Sequence, residues 1–589
     1  MKQQKTLAKN PWQGGGDHRQ NDPKDWKLAG KLADTDYFTT FFPVGWYYHG
    51  VRRYRSVFIV LGFCLTGLLG YWLARTAVPV GTPKATAATA LGSAADNEAE
   101  REVKFRRGER APVFRSDEEA LAAGALPGQR ALVFKDREAL ERFLAQAGDR
   151  VRILGRIDAL NALHIGFLNP DELAGLLRGD EELSMIFPAY VPNPKPGTAQ
   201  AGVVGVGADL LRVLGITGDN SNWGKGVLVA ILDTGVSDHP AFKSMITSIN
   251  LVPLPADLTD WNGHGTAVAS LVIGTGELTP GVAPGAAILS VRIADDLGES
   301  NSMLIARGIV AAVDAGASII NISMGSYGDS VLIRNAIEYA NKAGAVIVAS
   351  AGNEGLDHLA YPAANQGVIA VGAVDADGTP LAFSNSGKSL AAAAPGFEVN
   401  AAWTGDQAVG FSGSSPSAGI MSAAIAAAMG SGGSIQRSAL EASALVLSKL
   451  DDVGAPGTDV LSGGGMVDMG RVIDAGTPGI YDAAVASNYV IPPSAEVPYP
   501  QLQVTVQNRG TEMLLNAGVL VKTTAGSIPF NVTTLKPNAI QTFTIPLPLA
   551  SWNSTAPLTF DSSVWLSGGK IDSNPFNNRR VESYVPASN

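Results

Sequence analysis

The segment Val227–Val236 most constrains the fold, because it places an acid directly after an uninterrupted apolar run. Residues 227–232 are all apolar and half of them are β-branched, which is typical of a central strand in a parallel sheet covered on both faces. Functional groups in such sheets lie just past the carboxyl ends of the strands, so Asp233 is expected to face a crevice. On this segment alone, capping of the following turn is an equal alternative for Asp233.

Two later segments supply chemistry that an isolated acid lacks. His264 is flanked by glycines at the mouth of a small-residue helix, a setting that none of the other five histidines has. Ser415 begins an alanine-rich stretch, and Pro416 suits the first position of a helix there. A serine hydroxyl needs a base to take its proton and a carboxylate to orient that base, and the order Asp, His, Ser supplies all three.

The chain resembles the subtilisin family of serine peptidases over roughly residues 200–475. The motifs that carry the resemblance occur in the family's order, and they are Asp233-Thr-Gly, His264-Gly-Thr, Gly281-Val-Ala-Pro, Asn321-Ile-Ser-Met-Gly, Ser350-Ala-Gly-Asn-Glu-Gly, Tyr361-Pro-Ala, Val368-Ile-Ala-Val-Gly-Ala, Phe383-Ser and Ala394-Pro-Gly. The resemblance implies an α/β catalytic domain over 200–475, with a parallel sheet flanked by helices. It also implies a serine endopeptidase that acts on protein or peptide substrates.

By that resemblance, Asp233 orients His264, which acts as general base and then general acid while Ser415 attacks the peptide carbonyl. Asn353 matches the family's side-chain donor to the oxyanion; the alternative is a turn residue that tolerates positive φ. Six residues are expected to bind substrate, in part by main-chain pairing with an extended peptide: Ser323, Met324, Gly325, Ser350, Ala351 and Gly352. We expect no cofactor, and no metal at the family's usual calcium site, where Ala241 replaces an acidic ligand.

The nucleophile segment departs from the family pattern at two positions. Pro416 stands where a larger apolar residue is usual, and Gly419 stands where a proline is usual. Three more serines crowd the same loop, at 412, 414 and 417, so a different register of the nucleophile remains open. The departures also leave a second hypothesis, in which the chain is a catalytically inactive scaffold that binds or adheres at a surface.

The length and composition indicate several globular domains and exclude some partners. A chain of 589 residues is long enough for three or four domains. The net charge of −10 argues against nucleic acid, whose phosphates require clustered Lys and Arg. The single cysteine, Cys64, excludes an intrachain disulfide.

An uncharged apolar run predicts a single membrane span near the N-terminus. Residues 56–74 carry no charge over a length that can cross the bilayer, so we assign a transmembrane helix to 55–75. Ten Lys and Arg precede this run, which predicts that 1–54 is cytoplasmic and that the catalytic domain is periplasmic or extracellular. A cleaved secretory signal is the competing interpretation of the run. The aromatic-rich segment before the run predicts a membrane-surface anchor, with a small packed knot as an equal alternative.

The region between the apolar run and the catalytic domain divides into a linker, 76–125, and a small α+β domain, 126–195. Strands are predicted at 131–134, 151–157, 162–167 and 185–191, and helices at 137–146 and 170–178. This order resembles the inhibitor-like propeptide of the family, whose closing strand enters the protease cleft. An unrelated interaction module is the alternative. As a propeptide, it would place a processing site within or beside Tyr190–Gly197.

The C-terminal region, 485–589, has the period-two alternation of a β-sandwich. Strands are predicted around 502–507, 519–522, 541–545 and 563–566, separated by turns. The segment Asp572–Asn578 weakly resembles a motif of cell-adhesion-related modules of bacterial surface proteins. Its oxygens could bind calcium, but turn capping is the favoured role.

Overall fold

The computed structural model describes residues 117–192, 203–252, 260–431, 435–552 and 557–586. The N-terminal segment 1–54, the span 55–75 and most of the linker 76–125 therefore lie outside the described residues. Within those ranges, no helix combines the length and apolarity needed to cross a membrane.

Residues 117–184 form a small α+β unit. Its elements in chain order are α1 (Asp117–Ala122), β1 (Gln129–Phe134), α2 (Arg137–Ala147), β2 (Arg152–Ile157), β3 (Ala162–Gly166), α3 (Pro170–Ala174) and β4 (Glu181–Ser184). The strands form an antiparallel sheet in the order β2-β3-β1-β4. Helix α2 begins where the Asp136 carboxylate accepts a hydrogen bond from Ala139 N at 2.8 Å, and it packs Leu140 and Phe143 on one face of the sheet.

The predicted closing strand 185–191 is wrong as a single strand, because two short strands replace it. Strand β4 completes the sheet, whereas β5 (Pro188–Tyr190) leaves it and pairs with β9 (Glu299–Asn301). Between them the apolar side chains of Met185 and Phe187 enter a buried cluster with Ala120 of α1 and with Ala125. Pro188 also lacks an N–H to donate to a sheet ladder. The predicted helix 170–178 is shorter than expected, ending at Ala174.

A seven-stranded sheet forms the centre of the second unit, and all its neighbouring strands are parallel. The order is β13-β12-β11-β10-β6-β8-β7, with β6 (Leu228–Asp233), β7 (Ile246–Asn250), β8 (Ala287–Arg292), β10 (Ile319–Ile322), β11 (Val346–Ser350), β12 (Val368–Val374) and β13 (Leu390–Pro395). Strand β6, which ends in Asp233, lies between β10 and β8. The hairpin β14 (Val399–Trp403) and β15 (Gln407–Phe411) then leads into a long helix.

Helices cover both faces of this sheet, as a parallel sheet requires. They are α4 (Leu210–Val213), α5 (His264–Ile273), α6 (Ser302–Asp314), α7 (Val331–Lys342), α8 (Ser414–Met429), α9 (Ala439–Leu447) and α10 (Met469–Ile473). Helices α5 and α8 share one apolar cluster with one face, and α6 and α7 share another with the opposite face. The second cluster includes Ala131 and Ala162, so the small α+β unit packs on α6 and α7.

The C-terminal unit consists of two antiparallel sheets and a short helix. Its elements are β16 (Ala483–Ile491), β17 (Gln501–Asn508), β18 (Leu514–Thr523), β19 (Gly526–Leu535), β20 (Ile540–Pro546), α11 (Leu549–Trp552), β21 (Leu558–Trp565) and β22 (Arg579–Tyr584). The sheet orders are β16-β17-β20 and β19-β18-β21-β22. Residues of both sheets, including Val504 and Val519, share one buried cluster.

Candidate active site

Asp233 and His264 form a buried pair at the carboxyl edge of the parallel sheet. Asp233 is the last residue of β6, and His264 is the first residue of α5. His264 Nδ1 lies 2.8 Å from one carboxylate oxygen of Asp233 and 3.0 Å from the other. Both side chains are about 1% exposed. A carboxylate on Nδ1 fixes the tautomer that leaves Nε2 free to accept a proton.

The glycines around His264 permit close approach of the α5 start to the turn after β6. Gly263 has φ of +93°, a conformation that favours glycine. A Cβ at Gly265 would lie 2.0 Å from the carbonyl oxygen of Gly235, so no larger residue fits there without moving one of the two segments. The sequence motif is therefore a packing requirement of the Asp233 and His264 pair.

Asp260 organises the same turn and was not identified from the sequence. It is fully buried and accepts hydrogen bonds from Gly263 N at 2.8 Å, Thr266 N at 2.9 Å, Thr266 Oγ1 at 2.7 Å and Thr234 Oγ1 at 2.8 Å. Thr234 Oγ1 in turn accepts from Gly265 N at 3.1 Å. Burial raises the pKa of Asp260 and these donors oppose the rise. Asp260 thus links Thr234, the residue after Asp233, to Gly263 and Thr266 on either side of His264.

Ser415 lies in the first turn of α8, next to the end of β10. Its Oγ donates to Ser323 O at 3.2 Å, and Ser323 Oγ donates to Ser415 O at 3.2 Å. The ring of Phe411, four residues earlier, packs edge-on against the His264 ring with centroids 5.2 Å apart. His264 Nε2 has no hydrogen-bond partner among the described residues. The structure therefore brings Asp233 and His264 into contact, and it directs the Ser415 hydroxyl to Ser323.

The expectation that Pro416 is the first helical residue is wrong, because α8 begins at Ser414. Pro416 still lies in the first turn, where its missing N–H has no partner within the helix to lose. Gly419 lies where α8 crosses α5: a Cβ there would approach Val268 Cγ1 to 3.3 Å. These two departures from the family pattern fit the local packing.

Asn353 faces the start of α8, and Ser414 fixes its amide. Asn353 Oδ1 accepts hydrogen bonds from Ser414 N at 2.8 Å and from Ser414 Oγ at 2.9 Å. Since Oδ1 is held by two donors, the orientation of the amide group is set. Asn353 Nδ2 lies 2.9 Å from the point that a Cβ of Gly413 would occupy. Ser414 therefore contacts Asn353, whereas Ser415 contacts Ser323.

The residues expected to bind substrate line two neighbouring segments at this edge. Ser323, Met324 and Gly325 follow β10, while Ser350, Ala351 and Gly352 end or follow β11. Gly325 is already paired: it donates to Tyr190 O at 3.3 Å and accepts from Tyr190 N at 3.1 Å. Val191 N donates to Gly298 O at 2.9 Å. The segment of residues 188–191 therefore lies as an antiparallel strand between Gly325 and the 298–301 segment.

A polar cluster that sequence reasoning missed borders Asn353. The Glu354 carboxylate accepts from the hydroxyl of Tyr327, from Asn385 Nδ2 at 3.2 Å and from Asn353 N at 2.8 Å. Asn385 Oδ1 accepts from Glu354 N at 3.1 Å. Burial and the Glu354 carboxylate both raise the pKa of Tyr327, which keeps its hydroxyl neutral as a donor. These contacts hold the chain on both sides of the Asn353 backbone.

No group of three or more His, Cys, Asp and Glu side chains within the described ranges has the arrangement of a metal site. In the weakly recognised segment 572–578, Asp572 Oδ2 accepts from Ala483 N at 2.9 Å and from Asn578 Nδ2 at 3.1 Å. Asp572 Oδ1 accepts from Asn574 N at 3.0 Å. Such contacts are those of a carboxylate that caps a turn.

Comparison with known proteins identifies the family. The profile of the subtilase family matches residues 224–465. An alkaline protease of Alkalihalobacillus alcalophilus is 31% identical over 295 residues, which are 48% of this chain and 76% of that protein. Subtilisin Savinase of Lederbergia lenta is 34% identical over 194 residues, which are 33% of this chain and 72% of that protein.

A thermostable alkaline protease of Halalkalibacterium halodurans is 37% identical over 195 residues. Here the match covers 33% of this chain and 54% of the relative, so the chain spans about half of that protein's length. The matched region coincides with the parallel sheet and its helices, which have the subtilisin-like α/β architecture expected from the motifs. The chain therefore belongs to the subtilase family, the subtilisin-like serine endopeptidases.

Proposed function

We propose that this chain hydrolyses peptide bonds of proteins through Asp233, His264 and Ser415. The observation that carries the proposal is the buried pair of Asp233 and His264, with Nδ1 2.8 Å from the carboxylate, at the edge of the sheet where α8 presents a serine. The other ring nitrogen, Nε2, is buried with no hydrogen-bond partner among the described residues, and burial of such an atom is costly unless it has a function.

In the proposed reaction, Ser415 Oγ attacks the substrate carbonyl carbon while His264 Nε2 takes the hydroxyl proton. His264 then delivers that proton to the leaving amine, and water releases the acyl group in a second, equivalent cycle. Rotation about the Ser415 Cα–Cβ bond is the required adjustment, because the hydroxyl donates to Ser323 O before substrate binds. Asp233 stabilises the imidazolium that forms in each cycle.

Asn353 is the proposed donor to the oxyanion. Its Oδ1 accepts two hydrogen bonds from Ser414, which fixes the orientation of the amide at the start of α8, and Nδ2 is the donor atom of that amide. The Ser415 amide, in the first turn of α8, is the second proposed donor, since the first N–H groups of a helix lack partners within the helix. Because the negative oxygen exists only in the transition state, these donors lower the barrier without tightening substrate binding.

We further propose that residues 126–195 act as the propeptide of the enzyme. The support is the pairing of residues 188–191 with Gly325 and the 298–301 segment, since an extended chain on this edge excludes a substrate strand. The finer assignments rest on sequence. These are a span at 55–75 that anchors the protein, a catalytic domain outside the cytoplasm, and a β-sandwich over 485–589.

Covalent labelling tests the catalytic assignment. A fluorophosphonate reacts only with a serine activated as a nucleophile, and peptide mapping by mass spectrometry locates the modified residue. We expect modification of Ser415, its loss in Ser415→Ala and in His264→Ala, and its persistence in the neighbouring control Ser417→Ala. Modification of Ser414 would move the nucleophile by one residue, and absence of modification from every folded variant would favour an inactive scaffold.

A further inference from the structure

The strand of residues 188–191 lies on the substrate edge in a fixed register. Tyr190 and Gly325 exchange two backbone hydrogen bonds, which makes them a directly opposed antiparallel pair. Side chains along the strand alternate as a bound peptide would: Ala189 and Val191 are buried, whereas Tyr190 is 52% exposed. The register therefore fixes which residue of the chain comes next to the nucleophile.

Pro192 is the residue that the register places beside Ser415. In an antiparallel pair, the next hydrogen-bonded positions lie two residues along each strand, so Pro192 follows Tyr190 to the position opposite Ser323. Ser323 is joined to Ser415 by two reciprocal hydrogen bonds of 3.2 Å each. The carbonyl of Pro192 consequently comes to the nucleophile, and the peptide bond after Pro192 is the one presented for attack.

Proline at this position removes one hydrogen bond from the edge. Any other residue opposite Ser323 would donate its N–H to Ser323 O, but proline has no N–H. In its place the Ser415 hydroxyl donates to Ser323 O, at 3.2 Å. The same hydroxyl is then directed away from His264 Nε2, which has no partner among the described residues. The absence of an N–H at Pro192 and the orientation of the Ser415 hydroxyl are thus linked through Ser323 O.

We propose that Pro192 makes residues 188–192 a slowly cut occupant of the enzyme's own substrate edge. This inference rests on the proposed peptidase function and specifies how its site is regulated. In the slow step, Ser415 Oγ bonds to the Pro192 carbonyl carbon, the bond to the nitrogen of residue 193 breaks, and His264 transfers the serine proton to that nitrogen. Water then releases the Pro192 carboxylate and restores the serine hydroxyl.

The test compares self-cleavage of the purified full chain with that of variants which restore the N–H. In Pro192→Ala and Pro192→Ser, the new N–H competes with the Ser415 hydroxyl for Ser323 O and anchors the reacting residue. We expect the bond after residue 192 to be cut about tenfold faster, the effect of one hydrogen bond gained in the transition state. The exposed Pro170 at the start of α3 provides a matched control, Pro170→Ala, expected to cleave at the wild-type rate.

Intact-mass measurement and N-terminal sequencing identify the bond, and the Ser415→Ala variant shows whether the chain cuts itself. Cleavage at another bond, or equal rates in the wild type and both Pro192 variants, would overturn the inference. Fluorophosphonate labelling of Ser415 in the same samples distinguishes a failure of the Pro192 inference from a failure of the proposed peptidase function. Labelled Ser415 without faster cleavage rejects the role of Pro192 alone, whereas unlabelled Ser415 in all folded variants rejects the peptidase function and this inference with it.

Discussion

Replacing Asp260 by Asn tests whether the turn that carries His264 is held by a buried charge. The carboxylate accepts four hydrogen bonds, two at each oxygen. Asparagine keeps the shape but turns one oxygen into an NH₂ group, which must face either Gly263 N–H and Thr234 or Thr266 N–H and its hydroxyl. A threonine hydroxyl can rotate to accept from the amide, but a backbone N–H cannot. One buried backbone donor is therefore left without a partner.

The size of the effect follows from that count. A buried donor without a partner costs ~1–3 kcal/mol, and the remaining bonds lose the strengthening that a charged acceptor gives. If half of the ~1–3 kcal/mol penalty appears as displacement of His264 from Asp233, the barrier rises by roughly 0.5–1.5 kcal/mol, which corresponds to a kcat lower by about 2- to 13-fold. The KM for a peptide substrate should stay nearly constant, because Asp260 does not contact the substrate edge.

The assay is steady-state hydrolysis of a chromogenic peptide by processed enzyme, with circular dichroism to verify folding. Asp238→Asn makes the same chemical change at an exposed position of the same loop region and should leave kcat unchanged. A folded Asp260→Asn enzyme with wild-type kcat would refute the positioning role. So would a loss confined to KM.

Three further predictions concern the oxyanion donor and the junction with the C-terminal unit. Asn353→Ala should lower kcat by about 10²–10³ with little change in KM, measured on the same peptide. Burial raises the pKa of Asp452 to about 7. The contribution of this carboxyl group to the stability of the fold is therefore complete below pH ~4 and is lost as the pH rises through 7. Between pH 5 and 8, the melting temperature of the Asp452→Asn variant should consequently fall less than that of the wild type. Arg471→Met removes donors to Asp451 Oδ1 and to Leu450 O and should destabilise the chain by about 3 kcal/mol in urea unfolding, whereas Arg212→Met, at an exposed pair, should cost less than about 1 kcal/mol.

The parts of the fold that the sequence predicts well are those with strong local patterns. The apolar run before Asp233 became the strand β6, and the predicted helix 137–146 matches α2 to within one residue at its end. In the C-terminal unit, β16, β19 and β22 were missed. Strand β22, for example, has Val581 as its only aliphatic residue, between the polar residues Arg579 and Ser583, so its sequence resembles that of a solvated loop.

The site residues that sequence reasoning missed depend on contacts between distant segments. Asp260 belongs to a short polar stretch before His264 that resembles any turn, and its importance appears only when Thr234 and Thr266 come together around it. The departure of β5 from its sheet had a weak local signal, Pro188, but its partner in β9 lies more than 100 residues away. Pairing across such a separation has no signature in the local pattern of either segment.

The kinetic coupling of His264 and Ser415 tests the central claim most directly. The kcat/KM for one peptide substrate is measured for Ser415→Ala, His264→Ala and the double variant, after the segment of residues 188–192 has been removed by processing in trans. If the two side chains act as one proton-transfer unit, each single variant should lose nearly as much activity as the double variant. Losses that multiply in the double variant, or a Ser415→Ala enzyme with wild-type activity, would contradict the account.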